Sequence, residues 1–211
     1  MFDVQAAVAV VGNADPAMAR VIAQAGPFEP RPAQGDPFAA LARAILYQQL
    51  AGRAAAAIHA RFVEAIGGQV TAQAILETPL EALRGAGLSG AKAAAIADLA
   101  TKASDGTVPL AELDQLDDED IITRLSTVRG IGRWTAEMFL LFELGRPDVW
   151  PVDDYGVRNG WTIAHQLPEM IAPRALKQEG ERFRPYRSVA AWYCWRAVSL
   201  SRGEMALPTA S

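Results

Sequence analysis

Helix-start signals recur along this chain and constrain its fold more than any other feature. Asp15-Pro16, Asp36-Pro37 and Thr78-Pro79 each place a side-chain oxygen directly before a proline. Such an oxygen can accept hydrogen bonds from the free amides of a first helical turn, where proline loses no bond. Glu81 follows Thr78 by three positions, which predicts a capping box. The pattern therefore predicts helices that begin at these three pairs.

Apolar residues between these signals repeat at helical spacing. Leu41, Ile45 and Leu46 follow the Asp36 start, and Ile96 and Leu99 repeat in the same way further along. Alternating patterns typical of strands are scarce. We therefore expect an all-α protein of about ten short helices.

The composition is that of an ordinary folded domain. Hydrophobic residues make up 51% of the 211 residues and charged residues 21%. No apolar run approaches the roughly 20 residues that span a bilayer, and the N-terminus lacks the basic start of a signal peptide. We therefore expect a cytoplasmic protein, nucleoid-associated if bacterial, with no membrane partner.

Metal-ligating residues are few. Cys194 is the single cysteine, and the two histidines, His59 and His165, lie far apart among apolar neighbours. One cysteine cannot hold an iron–sulfur cluster or a four-cysteine zinc site. We expect both histidines to be structural, and we expect no cofactor and no iron–sulfur cluster.

Charge is unevenly distributed along a chain whose net charge is −4. Residues 105–120 carry seven acidic residues and no basic one, whereas residues 174–202 carry seven basic residues against two acidic ones. A net negative protein is not attracted to polyanions as a whole. The basic segment nevertheless predicts that one end of the molecule can face an anion.

The segment Gly85–Gly90 matches the pattern G-x-G-x-x-G of dinucleotide sites. That fingerprint requires a preceding strand, whereas here a helix over Thr78–Arg84 is predicted, followed by an alanine-rich helix. A tight turn between two helices is the better interpretation.

A second glycine turn, Arg129–Gly132, connects the predicted helix Asp118–Val128 to a helix that begins at Arg133. Glycines on both sides of Ile131 let the chain reverse and expose amides at a helix N-terminus, where the macrodipole favours an anion. The residues fit a phosphate-binding turn and a plain helical hairpin equally well.

Two adjacent carboxylates, Asp153 and Asp154, follow Pro151 and precede another predicted helix. An N-cap pair is the simpler interpretation of these residues taken alone. Two acids at one site could also perform chemistry.

Several motifs together resemble the helix-hairpin-helix (HhH-GPD) DNA glycosylase superfamily. Val128–Ala136 followed by Pro151–Tyr155 is similar to the hairpin and catalytic-aspartate signature of the 3-methyladenine DNA glycosylase II (AlkA-type) branch, and Trp134 precedes Asp154 by the same 20 positions. The further segments that resemble the family are Asp36–Ala57 around Tyr47-Gln48-Gln49-Leu50, Leu83–Leu99, and Arg184 through Trp195. The chain resembles compact members without the N-terminal β domain.

The resemblance implies an all-α fold of two helical subdomains flanking a DNA-binding and active-site cleft. It implies one glycosylase domain over residues 1–202, with a middle subdomain at about 37–146 that contains the hairpin at about 118–141. The N-terminal segment is expected to pack with C-terminal helices at about 150–202. Residues 203–211 are expected to form a flexible tail.

The implied activity is that of a monofunctional DNA glycosylase in base excision repair. It would excise 3-methyladenine, 7-methylguanine and similar bases from duplex DNA by hydrolysis of the N-glycosidic bond. The resemblance makes Asp154 the residue that stabilises the oxocarbenium-like transition state, while Asp153 is expected to cap the helix. Trp134 occupies the place of the lysine of bifunctional relatives, so no lyase activity is expected.

The resemblance also implies roles for other residues. The base pocket would include Tyr47, Trp134, Met138 and Trp195, although either tryptophan could be core. Leu50 would be the wedge that fills the gap left by a flipped base, or else an ordinary core leucine. The other residues implied to bind DNA are Gln49, Arg129, Gly130, Gly132 and Arg133. Because Met138 and Arg196 stand where the better-known member has tyrosines, we expect a more open pocket with broader substrates.

A monovalent cation, Na⁺ or K⁺, is a further implication of the resemblance. Its ligands would be the main-chain carbonyls of Ser126, Val128 and Gly130. The expected partner is double-stranded DNA with alkylated bases, bound by a monomer. Two other functions remain open at this point: a non-catalytic HhH DNA-binding module and a protein-binding helical domain.

Overall fold

The computed structural model describes residues 2–30, 35–50 and 52–204. These residues form twelve α-helices and two short 3-10 helices, with no β-strand among them. The α-helices are α1 (Val4–Ala14), α2 (Pro16–Ala25), α3 (Pro37–Tyr47), α4 (Gly52–Ala65), α5 (Ala72–Glu77), α6 (Leu80–Gly85), α7 (Gly90–Ser104), α8 (Asp118–Leu125), α9 (Arg133–Phe142), α10 (Tyr155–Ala164), α11 (Pro173–Gly180) and α12 (Arg187–Ser201). The 3-10 helices are Leu110–Gln115 and Glu181–Phe183. The all-α prediction is confirmed.

Two of the three predicted helix starts are correct. Asp15 caps α2 by accepting hydrogen bonds from the amides of Ala17 and Met18 at 2.8 and 3.1 Å. Asp36 caps α3 by accepting from the amide of Ala39 at 2.9 Å. In both helices proline occupies the first turn, as its missing N–H allows.

The predicted capping box at Thr78 is wrong. Its hydroxyl donates back to the carbonyl of Ala74 at 2.7 Å, and its amide donates to the carbonyl of Ile75 at 3.2 Å. Thr78 thus closes α5, and α6 begins after Pro79 without a side-chain cap. A short polar side chain can bond the first amides of the next helix or the last carbonyls of the preceding one, and here Thr78 bonds the preceding helix.

The helices divide into two compact units. Of the described residues, the first unit combines those up to position 30 with those from Leu140 to position 204, and the second comprises those between positions 35 and 139. Helices α1, α2, α10, α11 and α12 belong to the first unit, and α3 to α8 with most of α9 belong to the second.

The core of the first unit is organised around α12, which packs against α1, α2 and α10. Eleven of the fifteen residues of α12 are buried, so the helix is enclosed on more than the single stripe of a surface helix. Gly160 of α10 lies against this helix so closely that a Cβ there would stand 1.8 Å from the carbonyl oxygen of Cys194. Only glycine permits that approach, which holds α10 in place against α12.

In the second unit, α7 packs against α3, α5 and α6. Its buried residues Ile96 and Leu99 meet a core that includes Leu41 and Ile45 of α3. This packing holds the polar side chains of α7 at fixed positions.

Two further predictions concern membrane-spanning segments and the C-terminal tail. None of the described helices is both long enough and apolar enough to cross a membrane. The tail expected over residues 203–211 lies outside the described residues from position 205 on.

Candidate active site and nucleic-acid interface

Asp154 is a buried carboxylate with two hydrogen-bond donors on one oxygen. Asp154 is only 8% exposed and lies at the N-cap of α10. Oδ1 accepts hydrogen bonds from the Val157 amide at 2.7 Å and from the Trp195 indole N–H at 2.8 Å. These bonds hold the carboxylate in one orientation at the positive end of the α10 dipole.

The expectation that Asp153 caps this helix is wrong. α10 begins at Tyr155, so the residue directly before it is Asp154, and only that side chain reaches the amide of Val157. Asp153 is exposed one residue earlier. The two adjacent acids therefore differ sharply in environment.

The Trp195 side chain is held by a hydrogen bond and by ring stacking. Its indole donates to Asp154, and its ring stacks on Phe142 with centroids 5.5 Å apart. Gly156, the second residue of α10, makes room for it, because a Cβ on Gly156 would lie 2.6 Å from Cδ1 of the indole. The base-pocket role expected for Trp195 stays a prediction.

An open groove lies beside this tryptophan, within the first unit. Its aromatic lining includes Phe28, Phe142, Trp192 and Trp195. Phe28 meets Trp192 edge to face at 5.3 Å. Aromatic side chains of this kind can stack against a flat ring. Phe142 was missed by the sequence analysis, although it follows Met138 by one helical turn.

Arg196 is a buried cation in the same helix as Trp195. The residue is 7% exposed, its guanidinium lies 5.7 Å from the ring centroid of Trp192, and its Nε has no hydrogen-bond partner among the described residues.

The other predicted pocket residues belong to the second unit. Trp134 is 47% exposed at the start of α9, and Met138 is half-buried in the same helix. Tyr47 is half-buried, with the Arg43 guanidinium 5.0 Å from its ring and His59 meeting it at 6.0 Å. Their convergence with Asp154 on one base stays a prediction.

Residues Gln48–Leu50, here called the wedge turn, follow α3. Gln49 is exposed and adopts a φ of 59°, a left-handed conformation that is uncommon outside glycine. The Leu50 amide donates to the Tyr47 carbonyl at 3.3 Å, and Leu50 itself is half-buried. Leu50 is thus not a fully buried core leucine.

Residues Ser126–Gly132, here called the hairpin turn, join α8 to α9. The first helix ends at Leu125 rather than at Val128, because the chain then turns through bonds from the Val128 amide to Leu125 and from the Ile131 amide to Val128, both 3.0 Å. Gly130 has a φ of 80°. Helix α9 begins directly after the turn, so its first amides lack intrahelical acceptors. This geometry suits an anion at the N-terminus of α9.

Side chains from two other helices tie down the hairpin turn. Gln48 Nε2 donates to the Gly130 carbonyl at 2.9 Å, and Asp98 accepts from the Arg129 amide at 2.7 Å. The Lys102 ammonium donates to the Thr127 carbonyl. Burial alone would raise the pKa of Asp98, but the hydrogen bonds from Arg129 and Lys102 hold it below its ordinary value. The turn is therefore rigidly supported from α7.

The two arginines of the hairpin differ in what they contact. The Arg133 guanidinium donates to Glu119 at 2.9 Å and to Glu137 at 3.0 Å, and the bond to Glu119 raises the pKa of Arg133. A phosphate would have to displace those carboxylates. The Arg129 side chain is exposed and makes no ion pair among the described residues, so it is the better candidate for a phosphate contact.

Three of the seven basic residues in segment 174–202 form ion pairs inside the first unit. Arg184 and Arg187 both contact Asp148 at 2.7 Å, and Arg182 contacts Asp15 at 3.2 Å. The sequence count therefore overstates the positive charge available to an anion.

The sequence was compared with protein families and with known proteins. Residues 42–185 match the family described as HhH-GPD superfamily base excision DNA repair protein. DNA-3-methyladenine glycosylase 1 of Schizosaccharomyces pombe is 37% identical over 169 residues, which span 79% of this chain and 74% of that protein. DNA-3-methyladenine glycosylase 2 of Escherichia coli is 31% identical over 170 residues, which span 76% of this chain and 57% of that protein.

A solved structure is similar throughout. The 3-methyladenine DNA glycosylase of Schizosaccharomyces pombe in complex with abasic DNA superposes with a TM-score of 0.78 at 34% identity, covering 93% of this chain and 96% of that one. The predicted fold and family are confirmed. The roles of individual site residues stay predictions.

Proposed function

Because the chain belongs to the HhH-GPD superfamily of base excision DNA repair proteins, we propose that it is a DNA glycosylase that removes alkylated bases from duplex DNA. Its relatives named as 3-methyladenine glycosylases support this substrate class. The observation that carries the proposal is the buried carboxylate of Asp154, held by Trp195.

The reaction is hydrolysis of the bond between the base and C1′ of deoxyribose. An N3- or N7-alkylated purine carries positive charge, so it leaves with the bonding electron pair as a neutral base and needs no general acid. Positive charge then develops at C1′. A carboxylate shielded from water stabilises that charge more strongly than it stabilises the uncharged sugar. A water molecule adds its oxygen to C1′ and releases a proton.

Asp154 supplies this carboxylate in our proposal. The hydrogen bonds from Val157 and Trp195 orient it before substrate arrives, so no reorganisation is needed during the reaction. The aromatic groove beside Trp195 supports stacking of a cationic purine, whose attraction to an electron-rich ring is worth about 0.5–2 kcal/mol.

DNA would be held by the second unit. The amides of Gly130 and Gly132 and the exposed Arg129 side chain would contact phosphate, and Leu50, flanked by the exposed Gln49, would fill the gap left by the flipped nucleotide. Carbonyl oxygens are hard ligands that suit Na⁺ or K⁺, and Val128 and Gly130 each use one lone pair in the hairpin turn and keep another. With Ser126 they would hold an ion that attracts the phosphate.

Trp134 supports a monofunctional reaction, because an indole cannot form the Schiff base on which lyase chemistry depends. A monomeric, cytoplasmic enzyme remains the expectation from the sequence.

Replacing Asp154 by Asn tests the catalytic assignment. We expect release of free base from methylated duplex DNA to fall at least about 100-fold, because the charge that stabilises C1′ is lost. Chromatography of the released bases measures the rate, and binding to a duplex with an abasic analogue should persist. Asp153→Asn, at the exposed neighbour, is the matched control and should keep its activity. Equal rates for wild type and Asp154→Asn would overturn the assignment.

The same assay tests the expected breadth of the pocket. We expect release of 3-methyladenine, 7-methylguanine and 1-methyladenine. Release of one base alone would show a narrow pocket instead.

A further inference from the structure

Lys92 has no part in the reaction proposed above, yet it makes two of the shortest hydrogen bonds in the second unit. It lies in the first turn of α7, directly after the glycine turn Gly85–Gly90. Its ammonium donates to the carbonyls of Leu46 at 2.6 Å and Gln48 at 2.7 Å. The side chain is half-buried, and burial lowers its pKa.

These two carbonyls belong to the end of α3, where the backbone changes direction. The last carbonyls of a helix lack intrahelical donors and lie at the negative end of its dipole, so a cation is favoured there. Gln48 is also the first residue of the wedge turn. Lys92 therefore fixes the point from which the wedge turn departs.

The next residue, Gln49, needs such support. Its φ of 59° is unfavourable for a side chain that is not glycine, asparagine or aspartate. A strained backbone of this kind persists only where the surrounding contacts hold it. Lys92 contacts the residue immediately before it.

The same helix also holds the hairpin turn. Asp98 and Lys102, further along α7, bond the Arg129 amide and the Thr127 carbonyl. The Gln48 side chain links the two turns directly by donating to the Gly130 carbonyl at 2.9 Å. One helix thus bonds both the turn expected to hold phosphate and the turn expected to enter the duplex.

We propose that Lys92 is a positioning residue for base flipping, which fixes the wedge turn to the helix that fixes the hairpin turn. DNA held at the hairpin turn then meets Leu50 at a set distance, and the gap left by the flipped nucleotide is filled. This proposal rests on the proposed function.

The test compares lesions that differ only in how much opening they require. One duplex carries a single 7-methylguanine paired with cytosine, and the other carries it opposite a tetrahydrofuran abasic analogue, where flipping costs less. We expect Lys92→Met to lower single-turnover excision about tenfold or more on the paired lesion and less than about threefold on the unpaired one. Equal losses on both duplexes, or none on either, would overturn the proposal.

Three variants serve as controls. Lys102→Met removes the corresponding bond to the hairpin turn, so it should lower excision equally on both duplexes. Lys92→Arg retains donors at the same place and should recover part of the paired-lesion rate. Lys177→Met alters an exposed lysine of α11 and should change neither rate. A paired-selective loss in Lys102→Met as large as that in Lys92→Met would contradict the specific role of Lys92.

A second measurement keeps the proposal testable without excision. 2-Aminopurine paired with thymine brightens when the base leaves the stack, and Lys92→Met should reduce this rise at saturating protein. If wild type releases no base from any substrate, the proposed function fails. If wild type releases base but both variant signals match it, only the role of Lys92 fails. Should Lys92→Met not fold, Lys92→Gln, which keeps a donor on a shorter side chain, is expected to show a paired-selective loss as well.

Discussion

At the scale of single residues, the indole of Trp195 does two things for the carboxylate of Asp154. It donates a hydrogen bond of 2.8 Å to Oδ1, and its ring, stacked on Phe142, covers that side of the site. The donor and the ring can be separated by mutation.

Trp195→Phe removes the donor and keeps an aromatic ring against Phe142. A hydrogen bond to a charged group contributes about 1.5–3 kcal/mol, so we expect base release to slow about 10- to 100-fold with DNA binding retained. Single-turnover excision and binding to abasic duplex measure the two effects.

Trp150→Phe is the matched control for this prediction. Its indole donates to the Leu176 carbonyl at 2.8 Å within the same unit, away from Asp154. The control should lose stability but keep the rate of the folded fraction. Similar slowing in both variants would mean that Trp195 acts through stability alone.

The sequence could identify Asp153 and Asp154 as a pair but not assign their roles. Both match an N-cap pattern, and a shift of one residue in the start of α10 decides which of the two caps the helix. The assignment of roles depends also on Trp195, which lies 41 positions away and reaches Asp154 only through the packing of α12 on α10. Local propensity contains no information about that contact.

At the scale of helices, the crossing of α10 and α12 depends on Gly160. Any larger residue would place its Cβ 1.8 Å from the Cys194 carbonyl oxygen, and backbone cannot yield as a flexible side chain can. The helices would have to separate.

We expect Gly160→Ala to lower the free energy of unfolding by about 3 kcal/mol or more, because it overpacks a buried backbone contact. Urea denaturation followed by circular dichroism measures the change. Gly85→Ala is the control, since a Cβ at this helical position meets nothing within 4 Å. It should be neutral or stabilising by up to about 1 kcal/mol. A neutral Gly160→Ala would contradict the close crossing.

Asp15 joins three elements of the first unit. Besides capping α2, it contacts His165 at the end of α10 at 3.0 Å and Arg182 of the second 3-10 helix at 3.2 Å. Burial alone would raise the pKa of Asp15, but the hydrogen bonds from His165 and the Met18 amide outweigh it and hold the pKa below 3.8. Deprotonated Asp15 therefore stabilises the fold.

The sign of the pH dependence follows from this lowered pKa. The stabilisation is present above the unfolded pKa of 3.8 and is lost as the pH falls towards the folded value. We expect wild type to lose more unfolding free energy than Asp15→Asn between about pH 6 and pH 3. Urea titrations across this range measure the difference, and a difference independent of pH would contradict it.

Helix starts illustrate what sequence can and cannot predict at this scale. Asp15 and Asp36 bond amides two or three residues away, so local pattern was enough. Thr78 lies between two short helices, and its hydroxyl donates to the Ala74 carbonyl of the preceding one. The capping-box pattern considers only the residues after the threonine, so it does not include this carbonyl.

At the scale of the whole molecule, electrostatics favour only a weak general attraction to DNA. The net charge is −4, and three arginines of the basic segment, Arg182, Arg184 and Arg187, contact acidic side chains. Sequence counting could not foresee this, because Arg184 and Asp148 are 36 positions apart.

We therefore expect a shallow salt dependence of DNA binding. If about two to four phosphates are neutralised, the slope of log K against log salt lies near −2 to −4. Fluorescence anisotropy with an abasic duplex between about 50 and 300 mM KCl measures it. A slope as steep as about −8 would show a broad basic surface instead.

The division of the chain also sets the order in which a nascent polypeptide can mature on the ribosome. The described residues of the second unit come from one stretch of the chain, between positions 35 and 139, whereas the first unit joins helices from both sides of it. Domains tend to fold as units during synthesis, and α1 and α2 must wait for α12, which is translated after the whole of the second unit. The turns proposed to hold DNA are therefore complete before Trp195 can bond the proposed catalytic carboxylate of Asp154.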